Sequence, residues 1–157
     1  MKLSQNLNDA LNQQILIELL NQNKYMQIQS LFEDMQLKNL ANFFKEQSAG
    51  ENSHANLFMD YVNDRIGGKV DIGEINSPLI NFTDINSIAD FYIRTEEETT
   101  ASIESLYDMA LEEKSYIDLG FLTKMLDEQR EEEDTAISFG TKLKQVKDLV
   151  LFDATWK

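Results

Sequence analysis

Apolar residues recur along this chain in alternating steps of three and four, the period of an α-helix that buries one face. Leu11, Ile15, Ile28, Phe32 and Met35 mark the first such face, predicting a helix from Leu3 to about Asp34 with Ser4 or Asp9 near its start. A second predicted helix runs from about Lys38 to Arg65 and is stopped by Gly67-Gly68. The third opens at Thr83-Asp84, which suits an N-cap, and continues to about Glu113; the fourth starts near Ser115 or Asp118 and reaches Gly140 or somewhat beyond. The pattern predicts an all-α chain of four helices of nearly equal length.

The connections predict how these helices are arranged. The first and third are only a few residues long, so each joins antiparallel neighbours. The second, Gly67 to Phe82, contains Gly, Asn and Pro; at roughly 3.3 Å per residue its extended span is about 50 Å. A helix of about 28 residues is only about 42 Å long. The connector can therefore travel the length of the bundle and start the third helix parallel to the second, giving a four-helix bundle with one long crossover. Thr141 to Lys157 follows, with Leu149-Val150-Leu151-Phe152 and Trp156 near its end, and reads as a short docking segment. The expectation is one domain over residues 1–157, with the bundle in about 1–140 and the end of the fourth helix and a short docking tail in 141–157.

Each inward stripe is interrupted by polar residues near its middle. The first passes through Leu11, Ile15, Glu18, Gln22, Tyr25 and Phe32, the second through Phe44, Gln47, Glu51, His54 and Phe58. The third passes through Tyr92, Glu96, Thr99 and Ile103, the fourth through Met125, Gln129, Glu132, Ala136 and Phe139. Glu18, Glu51, Glu96 and Glu132 each fall within about 3 Å of a helix midpoint at a rise of roughly 1.5 Å per residue, so all four should meet in one layer. Bare carboxylates there would cost several kcal/mol each unless protonated, paired with cations or bound to metal. The stripes carry no Lys or Arg. Two divalent cations would balance four negative charges, and Glu51-Asn52-Ser53-His54 places an oxygen and an imidazole on one face. Glu97, Glu98 and Glu133 are assigned to the solvated surface.

Composition narrows the chemistry. With 28 acidic against 14 basic residues the 157-residue chain carries a formal charge of −14, which repels nucleic acid and attracts cations. Zero Cys excludes disulfides, thiolate zinc, iron–sulfur clusters and a Cys nucleophile, and a single His excludes any site that needs two. No apolar run approaches the length needed to span a bilayer, and the first residues lack the apolar core of a secretory signal. The expectation is a cytoplasmic protein with no membrane or nucleic-acid partner.

These residues resemble the bacterial non-haem ferritins along nearly the whole chain, to about residue 140. The resemblance rests on Leu11-Asn12-Gln13-Gln14 leading to Glu18 and Tyr25, and on Ala41-Asn42-Phe43-Phe44 leading to Glu51-Asn52-Ser53-His54. It also rests on Ser77-Pro78 in the crossover and on Asp127-Glu128-Gln129-Arg130-Glu131-Glu132-Glu133. It implies a ferroxidase that oxidises Fe²⁺ to Fe³⁺ with O₂ or H₂O₂ at a di-iron centre and stores ferric mineral inside a homo-oligomeric shell of 24 copies. Carried onto this chain, Glu18 and His54 would be terminal ligands of the first iron, Glu51 would bridge, and Glu96 and Glu132 would hold the second. Gln129 would sit near the oxygen-binding side, and Tyr25 would stand beside the centre as an electron source. Glu128 and Glu131 match a third iron site, weakened here because Gly50 stands where many relatives have Glu. Haem is not expected: Asn52 and Gln129-Arg130-Glu131-Glu132 replace the Met and second ExxH of haem-binding bacterioferritins. The tail is shorter than the family's fifth helix. A soluble di-iron oxidase or peroxide reductase of the rubrerythrin kind is the alternative; it usually has a second ExxH or a Cys-rich module, and this chain has neither.

Overall fold

Ser4, rather than Asp9, starts the first helix: its hydroxyl accepts the Leu7 backbone N–H at 3.0 Å, and α1 covers Gln5–Asp34. In the computed structural model, which describes residues 1–156, α2 spans Lys38–Asp64, α3 Ile85–Glu112 and α4 Tyr116–Gln145. The short α5 spans Leu149–Thr155, and the described residues contain no strand. Asp84 caps α3 in a reciprocal capping box with Ser87, as the Thr83-Asp84 pair predicts. The architecture is the expected four-helix bundle with one long crossover and a short C-terminal segment. α1 packs along α2 and α3 along α4, and the two pairs meet directly where α1 faces α3. No helix among the described residues is long and apolar enough to cross a membrane.

Both short turns use the same device. After α1, Leu37 N–H reaches back to Phe32 C=O at 2.9 Å and Gln36 N–H to Glu33 C=O at 3.0 Å. After α3, Ser115 N–H reaches Ala110 C=O at 2.8 Å and Lys114 N–H reaches Leu111 C=O at 3.0 Å. These are Schellman motifs, yet the left-handed residues are Gln36 (φ 61°) and Lys114 (φ 56°) rather than Gly. Gly67 (φ 81°) takes the left-handed role where the crossover begins. Gly140 does not end α4: a Cβ there would lie 2.7 Å from Ile93 Cδ1, so the glycine lets α4 pass close to α3 and continue to Gln145.

Polar side chains of α1 hold the crossover against the bundle. Asn8 Oδ1 accepts Lys69 N–H at 2.8 Å, while Asn12 donates to Lys69 C=O at 2.8 Å and accepts Asp71 N–H at 2.6 Å. Further along, Ser77 donates to Asn23 Oδ1 at 2.7 Å and Gln27 Oε1 accepts Ile80 N–H at 2.8 Å. The tail docks through Asp153, whose carboxylate accepts Leu40 N–H at 2.8 Å and so caps α2, a helix with no local side-chain cap. Trp156 closes this contact against Phe43 and Phe139, each 5.2 Å away between ring centroids.

The apolar core is in two parts. One contains Tyr25, Phe32, Phe44, Tyr92 and Phe139; the other contains Leu7, Ile15, Phe58, Ile103 and Met125. Between them lie the buried polar residues Glu18, Asn21, Glu51, His54, Glu96, Thr99 and Gln129. At the opposite end of the second core from this layer, Asp118 at the start of α4 is fully buried. Arg65 Nε donates to it at 2.6 Å, and the Ser115 and Tyr61 hydroxyls also bond to it. Burial alone would raise the Asp118 carboxyl, but these donors together hold it below the ordinary aspartate value. Leu19, Leu31 and Leu57 lean on the core from its edge, whereas Ile66 is exposed.

Candidate metal centre

The polar layer follows from helical spacing. Gln14 and Glu18 on α1 are four residues apart, and Glu51 and His54 on α2 are three apart, so each pair shares a face. Glu18, Glu51 and His54 are all buried, and each offers one ligand atom such that the three lie within 4.8 Å of one another. His54 Nδ1 is 3.5 Å from Glu51 Oε2 and 3.8 Å from Glu18 Oε2. Both of those carboxylate oxygens are buried with no hydrogen-bond partner. A fully desolvated carboxylate oxygen without a donor is costly, and a cation bound there would remove the cost.

Glu96, from α3, is held differently. The Tyr25 hydroxyl donates to its Oε1, and Gln129 Nε2 donates to its Oε2 at 2.7 Å and to its backbone carbonyl at 3.2 Å. Gln129 and Tyr25 therefore converge on Glu96 from α4 and α1. Glu132, one turn beyond Gln129, is only half-buried. Its place at the layer is visible in its effect on charge: Glu51 feels both Glu96 and Glu132, and Glu132 feels His54.

Electrostatics across the layer point one way. Burial, followed by the charge of Glu51, pushes the Glu18 carboxyl well above its ordinary value. Burial also raises Glu51 and Glu96; Glu18 opposes the shift at Glu51 while Glu96 and Glu132 add to it, and Tyr25 and Gln129 oppose the shift at Glu96 while Glu132 and Glu18 add to it. Glu132 is raised by burial and by Glu128 and Glu131, with His54 opposing. The Tyr25 phenol is pushed far up by burial and by Glu96. Lys24 senses Glu51 and Glu96 but donates instead to Asn21 Oδ1 at 3.1 Å, and burial lowers its amine.

The remaining expected residues are peripheral. Glu128 and Glu131 are exposed on α4, and Glu131 lies 4.0 Å from Arg130. A side chain at Gly50 would meet nothing within 4 Å, so no atom there takes the place of the missing Glu. Glu97 and Glu98 are exposed as predicted, whereas Glu133 is half-buried. The first stripe is corrected at one point. Asn21 rather than Gln22 turns fully inward and donates to Thr99 Oγ1 at 2.8 Å, because the step after Glu18 is three residues and the buried face then continues through Tyr25, Ile28 and Phe32. The stripes also miss Gln14 and Ser102: Gln14 Nε2 donates to Glu18 Oε1 at 2.7 Å, and Ser102 donates to Gln14 Oε1 at 2.6 Å. The spacing of Gln14 from Glu18 is the signal that could have found the first of them.

Comparisons with known proteins agree with this geometry. The family profile described as ferritin-like domain matches residues 8–146. The chain is 32% identical over 144 residues to a bacterial non-heme ferritin of Staphylococcus aureus, covering 90% of this chain and 86% of the relative. A bacterial non-heme ferritin of Staphylococcus haemolyticus is 32% identical over 133 residues, covering 85% of this chain and 80% of its own length. Among solved structures, an open pore ferritin from the archaeon Archaeoglobus fulgidus superposes with a TM-score of 0.92 at 28% identity, covering 98% of this chain and 96% of that one. A Chlorobium tepidum ferritin superposes with a TM-score of 0.85 at 28% identity, covering 96% and 92%. Matched along most of its length in sequence and in fold, the chain belongs to the ferritin family.

Proposed function

We propose that this protein is an iron-storage ferritin that oxidises Fe²⁺ to Fe³⁺ with O₂ or H₂O₂ and collects the ferric product inside a hollow shell built from copies of the chain. The observation that carries this reading is the meeting of Glu18, Glu51 and His54 within 4.8 Å, with two buried carboxylate oxygens left unpartnered. Fe²⁺ is the substrate. Glu18 and His54 would bind one ion, Glu51 would bridge, and Glu96 and Glu132 would bind the second. Hard carboxylate donors with a single imidazole accept Fe²⁺ and favour Fe³⁺ more strongly, so oxidation is driven forward. Two Fe²⁺ together supply the two electrons that convert O₂ with two protons to H₂O₂, or H₂O₂ with two protons to water.

The surrounding side chains suit such a cycle. Gln129 and Tyr25 hold Glu96 through one hydrogen bond to each oxygen, which leaves a lone pair on each for an ion in the second site. Reduction of O₂ past H₂O₂ to water needs two electrons beyond those of the iron pair; the buried Tyr25 phenol, bonded to Glu96, would supply one of them while its proton passes to Glu96, and a further Fe²⁺ would supply the other. The exposed carboxylates Glu128 and Glu131 lie next to Glu132, where they attract cations and could form only an open third site. The resemblance to non-haem relatives extends to the absence of a second ExxH, so no haem is required.

Fe²⁺ titration under oxygen tests the chemistry. The wild-type protein should show a rapid, saturable phase of ferric formation at two Fe²⁺ per chain, and Glu51→Ala or His54→Ala should abolish it. A rapid phase unchanged in both variants removes the assigned centre. Native mass measurement tests storage separately: a 24-copy assembly supports the shell, whereas a monomer or dimer leaves only the oxidase, the rubrerythrin-like alternative.

A further inference from the structure

The layer contains a hydrogen-bond relay that runs from Ser102 through Gln14 to Glu18, whose carboxylate accepts at its end. Ser102 is a hydroxyl on α3, and it donates to Gln14 Oε1 at 2.6 Å. A Gln amide that accepts on its oxygen from one side presents its NH₂ to the other. Here that NH₂ meets Glu18 Oε1 at 2.7 Å. Gln14 is fully buried, so neither of its ends has water as a substitute partner. Glu18 is thereby divided into two unlike oxygens: Oε1 is taken by Gln14, while Oε2 is buried, unpartnered and turned toward His54 Nδ1 at 3.8 Å.

We propose that Gln14, oriented by Ser102, is a positioning residue that fixes Glu18 as a one-oxygen ligand and keeps its Oε2 aimed at the cation shared with Glu51 and His54. The inference rests on the metal-centre reading above and adds residues outside the ligand set. Three features of the geometry support it. The relay crosses from α3 to α1, so it couples Glu18 to the opposite helix pair rather than only to its own turn. It engages the Glu18 oxygen other than the one nearest His54. It also resembles the arrangement at Glu96, where side chains of α1 and α4 occupy the carboxylate, except that at Glu96 both oxygens are occupied and at Glu18 one is left free. Partners of this kind change metal affinity because they set ligand orientation and basicity.

The test is stepwise binding of Co²⁺ alone to metal-free protein, followed by calorimetry and by the visible ligand-field spectrum. The relevant Co²⁺ is the one whose spectrum disappears in His54→Ala. Gln14→Leu, close in volume, should weaken that ion by about 10- to 100-fold and alter its band shape. Ser102→Ala should weaken it less, and Ser102→Thr, which keeps the hydroxyl, should restore the wild-type spectrum and affinity to within about twofold. Circular dichroism and native mass equal to wild type establish folding; should Gln14→Leu fail to fold, the Ser102 pair carries the same comparison. Wild-type affinity and spectrum in Gln14→Leu, or in Ser102→Ala where Gln14→Leu is unfolded, overturn the relay. Co²⁺ binding that survives His54→Ala and Glu51→Ala overturns the underlying metal centre instead, so the two failures are distinguishable.

Discussion

Two groups of buried carboxylates share this bundle, and their environments are opposites. Asp118 has Arg65, Ser115 and Tyr61 bonded to it, and its carboxyl is held below the ordinary value. Among the described residues no Arg or Lys is bonded to Glu18, Glu51 or Glu96, and burial drives all three above it. The first group carries its own cation and is complete as folded. The second lacks one, and the fold holds it in a charged-ligand geometry that an external cation would complete. The presence of a built-in cation, more than burial itself, separates the structural carboxylate Asp118 from the candidate metal ligands.

The largest effect should come from breaking the complete group. Arg65→Ala leaves Asp118 buried without its charge partner and should cost about 3–5 kcal/mol of folding stability by chemical denaturation, in the presence or absence of metal. Next, cation binding should stabilise only through the incomplete group. Co²⁺ at 100 times its dissociation constant should raise wild-type stability by about 2.7 kcal/mol, and His54→Ala with Glu51→Gln should remove that gain. Equal stabilisation of this double variant would erase the distinction between the two groups.

The pH dependence of the metal-free protein gives the third contrast, with opposite signs. Glu51 is raised from 4.5 to about 8, so between those values the folded chain binds more protons than the unfolded one, and stability falls as pH rises. Asp118 is depressed, so its contribution is complete above the ordinary aspartate value and is lost as pH falls below it. Glu51→Gln should flatten the fall between pH 4.5 and 8 by at least about 1 kcal/mol, since each tenfold change in proton affinity is worth about 1.4 kcal/mol, while leaving the acid limb unchanged. The smallest effect should be Tyr61→Phe, which deletes one donor to Asp118 while Arg65 and Ser115 remain: about 1 kcal/mol in the same denaturation experiment.

The two groups also differ in how visible they are in the sequence. Glu18, Glu51, His54 and Glu96 stand out because a carboxylate or imidazole on an otherwise apolar stripe breaks a period that spans a whole helix. Arg65 and Asp118 are at helix ends, where no stripe exists to be interrupted, and their pairing depends on how the C-terminus of α2 meets the N-terminus of α4. The order and length of the helices were legible for the same reason as the stripes. The turns were less so, because Gln36 and Lys114 adopt a conformation that sequence patterns assign to Gly. Gly140 left the end of the fourth helix open in the sequence, because its role is close packing against α3, which no periodicity displays. The Asn8, Asn12, Asn23 and Gln27 contacts to the crossover were hidden because most of their partners are backbone groups, which every sequence supplies alike.

The cap that Asp153 places on α2 has a consequence in time. Its partner, Leu40, lies 113 residues earlier in the chain. At roughly 5–20 residues per second of synthesis, the start of α2 emerges about 6–23 s before the carboxylate that completes it. During that interval α2 can pair with α1 through the apolar face they share, but its first turn keeps an unsatisfied N–H. The beginning of the second helix is therefore among the last local structures that a newly made chain can finish.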